Sequence, residues 1–128
     1  MNKNRLLIVT HGNLGAAMIE VARKIVGETN EGDVFFLSND GFSTHDITKK
    51  IKDITESYPE DYFLIITDFP GGSCFIASKK IASSDRRISS LSGLNISMLL
   101  SFLTKKEILA GSKLAEVVKT DGGRAIVS

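Results

Sequence analysis

His11 directly follows an apolar run, Leu6-Leu7-Ile8-Val9-Thr10, and directly precedes Gly12. A neutral imidazole carries one protonated nitrogen and one free, nucleophilic nitrogen, so it can take up and release an electrophilic group. A carboxylate accepting from the N–H fixes the tautomer and stabilises the positive charge the ring acquires during attack. Asp68 is the natural partner, because it ends another apolar run, Tyr62-Phe63-Leu64-Ile65-Ile66-Thr67. The plainer alternative is that His11 closes a turn and Asp68 caps a helix.

Three residues beyond Asp68 comes Gly71-Gly72-Ser73. Glycines at a helix start let backbone N–H groups approach an anion closely, helped by the helix dipole and a neighbouring hydroxyl. A plain tight turn is the more common explanation of such a pair, which gains weight only beside His11 and Asp68. Cys74 falls in the first turn of the same helix, where the dipole lowers a thiol pKa. With His11 and Asp68 it makes a Cys-His-Asp set open to a hydrolase or transferase reading, against the alternative of a small buried apolar residue. His45, among Ser43, Thr44 and Asp46, reads as a solvated or capping residue, and no His/Cys/Asp spacing marks a metal site.

The elements that must position these groups alternate along the chain. Residues 5–9 predict a strand. A helix follows, with Leu14, Ala17, Met18, Val21, Ala22 and Ile25 on one stripe and Gly27 at its end. Residues 33–38 predict a second strand, closed by Asn39-Asp40-Gly41. Ser43 or Thr44 caps a second helix carrying Ile47, Ile51 and Ile54, which Pro59 breaks. Residues 62–67 predict a strand covered on both faces, and a third helix begins near Ser73. A weaker fourth strand spans 86–92, followed by Gly93-Leu94-Asn95 and an apolar helix with Met98, Leu99, Leu100, Phe102 and Leu103. A further helix is predicted over about 105–118, and residues 123–127 predict a final strand.

This alternation predicts an α/β fold with an open, mostly parallel sheet and helices on both faces. Ligands in such sheets bind outside the carboxyl ends of the strands, where Thr10-His11-Gly12, Asp68 to Ser73 and Gly93 to Asn95 all fall. The 128 residues suit a single domain over 1–128. A hydrophobic share of 42%, a charged share of 24% and a net charge of +1 are ordinary for a globular protein and favour no nucleic-acid partner. One cysteine excludes an intramolecular disulfide. The N-terminal apolar run is shorter than the roughly 7–15 residues of a signal-peptide core, and no segment reaches the roughly 20 needed to span a bilayer. A cytoplasmic location is expected.

Taken in order, Ile8-Val9-Thr10-His11-Gly12, Leu64-Ile65-Ile66-Thr67-Asp68 with Gly71-Gly72-Ser73 and Phe75, and Gly93-Leu94-Asn95-Ile96 with Met98-Leu99 resemble the mannose-type IIA component of the bacterial sugar phosphotransferase system. The resemblance runs along nearly the whole chain. It implies that His11 receives phosphate from the carrier protein HPr and donates it to a IIB component, expected here on a separate chain. It implies that Asp68 orients the histidine and that Thr10, Gly71, Gly72 and Ser73 surround the phosphoryl group. It also implies a homodimer, with the C-terminal strand exchanged between subunits, and a link to the membrane only through permease subunits. Neither the residues nor the resemblance calls for a cofactor or a metal.

The chain departs from the family's usual pattern at four positions. Pro70 stands for a tryptophan, Cys74 for a proline, Ile76 for an asparagine and Ser97 for a proline. The residues expected to bear and orient phosphate are kept, while loop-shaping and partner-facing ones differ. Two related readings stay beside the relay. One is the IIA-like subunit of dihydroxyacetone kinase; the other is a regulatory module in which phosphorylation itself carries the message.

Overall fold

The computed structural model describes residues 2–27 and 31–128. Four strands, β1 (Asn4–Thr10), β2 (Val34–Ser38), β3 (Tyr62–Thr67) and β4 (Ile88–Ser92), form one sheet in the order β2-β1-β3-β4. All three pairings are parallel. The helices are α1 (Leu14–Val26), α2 (Thr44–Glu56), α3 (Gly72–Ser84), α4 (Ile96–Lys105) and α5 (Gly111–Arg124), with a 3-10 turn at Glu31–Asp33. No helix among the described residues is long and apolar enough to cross a membrane.

The apolar strands make sense once both sheet faces are seen to be covered. Side chains alternate along a strand, so Leu6 and Ile8 of β1 and Leu64 and Ile66 of β3 share one face. They are buried with Ile19 and Ala22 of α1, Leu99 and Phe102 of α4, and Leu114 and Val118 of α5. Leu7, Val9, Phe63 and Ile65 face the other way, onto Ile47 and Ile51 of α2 and Cys74, Ala77 and Ile81 of α3. A one-residue slip of either strand would exchange these two sets. Ser43 fixes the start of α2 through a capping box with Asp46, and Pro59 lies just past its end, both as expected.

The first helix turns inward only part of the stripe its periodicity suggested: Ala22 is buried and Met18 packs against the core. Gly15, Ile19 and Ala22 are its buried residues, while Leu14, Val21 and Ile25 are 48–59% exposed. Gly15 decides this. A Cβ there would come within 2.6 Å of the Ile8 side chain and 2.8 Å of the Phe36 ring. The helix is therefore seated on its smallest residue, which brings it close to the sheet at the price of leaving an apolar stripe outside.

The C-terminal segment also differs from expectation. The helix expected over 105–118 is α5, shifted to Gly111–Arg124, and it takes in Gly123 and Arg124 of the segment 123–127 expected as a strand. Gly122 is buried inside it, where a Cβ would lie 2.4 Å from the Met98 side chain, and its carbonyl accepts from the Asn95 amide at 3.1 Å. These contacts outweigh the roughly 1 kcal/mol helix cost of a glycine. Ile126 and Val127 follow the helix as exposed residues outside the four-stranded sheet of the described residues.

Candidate functional site

β1 and β3 are neighbours in the sheet, with Val9 opposite Thr67. Adjacent strands lie about 4.8 Å apart, so the residues just past their carboxyl ends, His11 and Asp68, are brought side by side. Asp68 Oδ2 accepts from the His11 backbone N–H at 2.9 Å and lies 2.9 Å from the ring Nδ1. Its Oδ1 accepts from the Phe69 N–H at 3.2 Å. Burial alone would raise the Asp68 pKa, but the backbone and ring hydrogen bonds from His11, with the ring's charge, outweigh it and hold the carboxyl below its ordinary value.

An ionised carboxylate only accepts, so Nδ1 carries the proton and Nε2 presents its lone pair. The Asp68 side chain is 8% exposed and that of His11 40%. Asp68 thus anchors one ring nitrogen from inside while the other edge stays reachable. The Phe69 ring stacks on the imidazole with centroids 4.9 Å apart and planes 26° apart, which limits ring rotation.

The turn that carries His11 is fastened from below. Thr10 is fully buried; its hydroxyl accepts from the Gly15 N–H at 3.0 Å and donates to the Gly12 carbonyl at 3.3 Å. Asn39, read from the sequence only as part of a turn, accepts from the Gly12 N–H at 3.1 Å and donates its own N–H to the Thr10 carbonyl at 3.0 Å. Thr10 and Asn39 therefore shape the turn. The Thr10 hydroxyl is thus engaged by the turn's own backbone on both sides.

Gly72, the first residue of α3, has φ +73°, and a Cβ there would sit 3.5 Å from His11 Nε2. A side chain would be strained in its backbone and would crowd the free nitrogen. No side chain caps this helix start, so its first N–H groups remain available beside Nε2. Gly71 is different, because its N–H is spent on the Phe69 carbonyl at 2.9 Å. Gly72 and Ser73 form the part of the loop that can meet an anion.

The third loop is held at the same sheet edge but reaches the site only indirectly. The Gly93 and Leu94 N–H groups both donate to the Thr67 carbonyl at 3.1 Å, and Asn95 caps α4 through the Met98 N–H at 3.0 Å. These bonds fix the end of β3, from which Asp68 departs. A cavity of about 490 Å³ opens beside this loop, bordered by Thr67, Ser78, Ser92 and Asn95.

Cys74 is fully buried under the site. Burial first, and the Asp68 charge second, push its thiol pKa up, against the lowering expected from the helix start. That removes the basis for reading it as a nucleophile. A donor atom from each of His11, Asp68 and Cys74 nevertheless lies within 4.8 Å of the others. His45, in the first turn of α2, is exposed to solvent, in line with the role expected of it.

The family described as "PTS system fructose IIA component", the fructose IIA component of the phosphotransferase system (PTS), matches residues 5–120. The PTS fructose-specific EIIA component of Bacillus subtilis (strain 168) is 28% identical over 116 residues, covering 89% of this chain and 78% of that protein. The sorbose-specific EIIA component of Klebsiella pneumoniae is 24% identical over 110 residues, 86% of this chain and 80% of its own length. Among solved structures, the phosphotransferase system component EIIA from Streptococcus agalactiae superposes with a TM-score of 0.86 at 25% identity, covering 98% of this chain and 96% of that one. The mannose/sorbose-specific IIA subunit from Enterococcus faecalis shares the fold with a TM-score of 0.83 at 17% identity, over 98% and 94% of the two chains. This chain belongs to the mannose-type IIA components of the sugar phosphotransferase system.

Proposed function

We propose that the protein is a phosphoryl carrier in which Nε2 of His11 accepts the group from HPr and passes it to a IIB component on a separate chain. The observation that carries this reading is the Nδ1–Asp68 contact at 2.9 Å, which leaves Nε2 as the free nucleophile on a reachable ring edge. In the forward step the Nε2 lone pair forms the new N–P bond as the N–P bond to the donor imidazole breaks. The positive charge that develops on the ring is met at Nδ1–H by Asp68. The oxygens of the transferred group find the open start of α3, where Gly72 leaves room and the first N–H groups are uncapped. Transfer to IIB is the same step in reverse, with a new acceptor.

The test is incubation with phosphoenolpyruvate, enzyme I and HPr, followed by intact mass measurement. One acid-labile phosphate is expected, and it should leave when a IIB acceptor is added. A mass that never shifts with cognate partners would defeat the relay. A label that forms but no IIB protein removes would replace onward transfer with a regulatory role for the phosphorylated form.

A further inference from the structure

Sequence spacing shows no metal motif, yet folding gathers an imidazole, a carboxylate and a thiol around one point. His11, Asp68 and Cys74 each offer a donor atom, and these atoms lie within 4.8 Å of one another. Donors around a tetrahedral zinc ion stand roughly 3.3–3.8 Å apart, given bonds of about 2.0–2.3 Å. At the widest separation the donors would close by about 1–1.5 Å, and the Nδ1–Oδ2 pair at 2.9 Å would open by a few tenths of an ångström, both within reach of side-chain rotation. The mix of soft sulfur, imidazole nitrogen and carboxylate oxygen suits Zn²⁺ and does not suit Mg²⁺ or Ca²⁺. Cys74 is also a departure of this chain, since the family usually has proline there, so the set is not a general feature of the family.

We propose that His11, Asp68 and Cys74 form an inhibitory site for a thiophilic divalent cation of the Zn²⁺ type. The proposal rests on the reading of His11 as the phosphoryl acceptor and adds a control to it. The ion takes Nδ1, the nitrogen that already faces Asp68. Bonds form from the metal to Nδ1, to an Asp68 oxygen and to the Cys74 sulfur, with solvent in the fourth position. The thiol proton goes to solvent, and the imidazole proton leaves Nδ1 and reappears on Nε2. One proton is released in all, and no oxidant or reductant is involved. With Nε2 protonated, its lone pair is gone and it cannot attack phosphorus. Metal at Nδ1 and phosphate at Nε2 are thus mutually exclusive on a neutral ring.

The experiment is a Co²⁺ titration of the metal-free protein, followed by displacement with Zn²⁺. Wild type should give the charge-transfer absorption of a thiolate–cobalt bond at one ion per chain, and Zn²⁺ should abolish it. Cys74→Ala should lack the band. Both Cys74→Ala and His11→Ala should bind Zn²⁺ at least about tenfold more weakly in a chelator competition. No band in wild type, or Zn²⁺ affinity unchanged in both variants, would overturn the site. In a parallel phosphorylation assay Zn²⁺ should block labelling of wild type and spare Cys74→Ala in the same mixture; equal inhibition of both would overturn the control. The two readings separate cleanly. Labelling without a cobalt band removes the metal site and leaves the relay, whereas a cobalt band with no labelling under any condition does the opposite.

Discussion

The two ends of the sheet each hold a buried carboxylate, and they use it differently. At the carboxyl end, Asp68 is 8% exposed and meets a His11 side chain that is 40% exposed. At the amino end, Asp33 meets the Lys106 ammonium at 2.9 Å, with side chains 5% and 4% exposed. Nearby, Asp61 receives Arg5 Nε at 2.6 Å and the Lys3 N–H at 3.0 Å. Asn4 holds the α4–α5 connection by donating to the Lys106 and Leu109 carbonyls at 2.8 and 2.6 Å and accepting from the Gly111 N–H at 3.0 Å. There the basic partners are cross-linked in place. At the site, the pairing stops halfway, so one nitrogen is fixed and the other is left for chemistry. The lesson is that a carboxylate becomes a device for reactivity when its partner keeps an unsatisfied edge, and a clamp when the partner does not.

Replacing residues at the two ends should separate these roles. The largest effect is expected from His11→Ala, which should abolish phosphoryl labelling completely while circular dichroism and melting stay near wild type. Lys106→Ala should do the reverse. It strands the buried Asp33 charge and should cost about 3–5 kcal/mol in urea unfolding, with labelling retained wherever the chain remains folded. A loss of labelling without a loss of stability in that variant would break the contrast.

Asp68→Asn belongs between the two. Transfer should slow on the order of a hundredfold, because the ring loses its orienting charge, while the residue's shape is kept. Its pH signature is distinctive. The folded-state pKa of Asp68 lies below the ordinary 3.8, so its stabilising contribution is present above that value and lost as pH falls through the depressed one. Urea unfolding of wild type and Asp68→Asn should therefore differ at neutral pH and converge in strong acid; a difference unchanged by acid would argue against the charge. The smallest effect is expected from Gly72→Ala, about 1–2 kcal/mol of backbone strain at φ +73°, with slower labelling from crowding of Nε2.

The parts of this contrast visible in the sequence are those set by local pattern. His11 and Asp68 stood out because each directly follows an apolar strand, and parallel strands place such residues at one edge. That they touch depends on β1 and β3 being adjacent, a non-local fact the pattern alone leaves open. The inward face of α1 coincides with the apolar stripe only at Met18 and Ala22, because apolar periodicity does not say which side meets the sheet; the close seat of Gly15 on Ile8 and Phe36 does. The segment 123–127 has strand-like composition, but the packing of Gly122 against Met98 carries α5 on through Gly123 and Arg124. Asn39 carried turn chemistry, and nothing local showed that it would hold the His11 turn from 27 residues away. For Cys74 the sequence offers both a helix-start thiol and a small buried apolar residue, and its complete burial selects the second.

The central claim is that Asp68 reserves Nδ1 and leaves Nε2 as the acceptor. Nitrogen-15 and phosphorus-31 NMR of the protein phosphorylated by HPr reads the attachment atom directly. The account predicts a single phosphohistidine bonded through Nε2 of His11, with Nδ1 still protonated toward Asp68. A phosphate on Nδ1, or on His45, would contradict it.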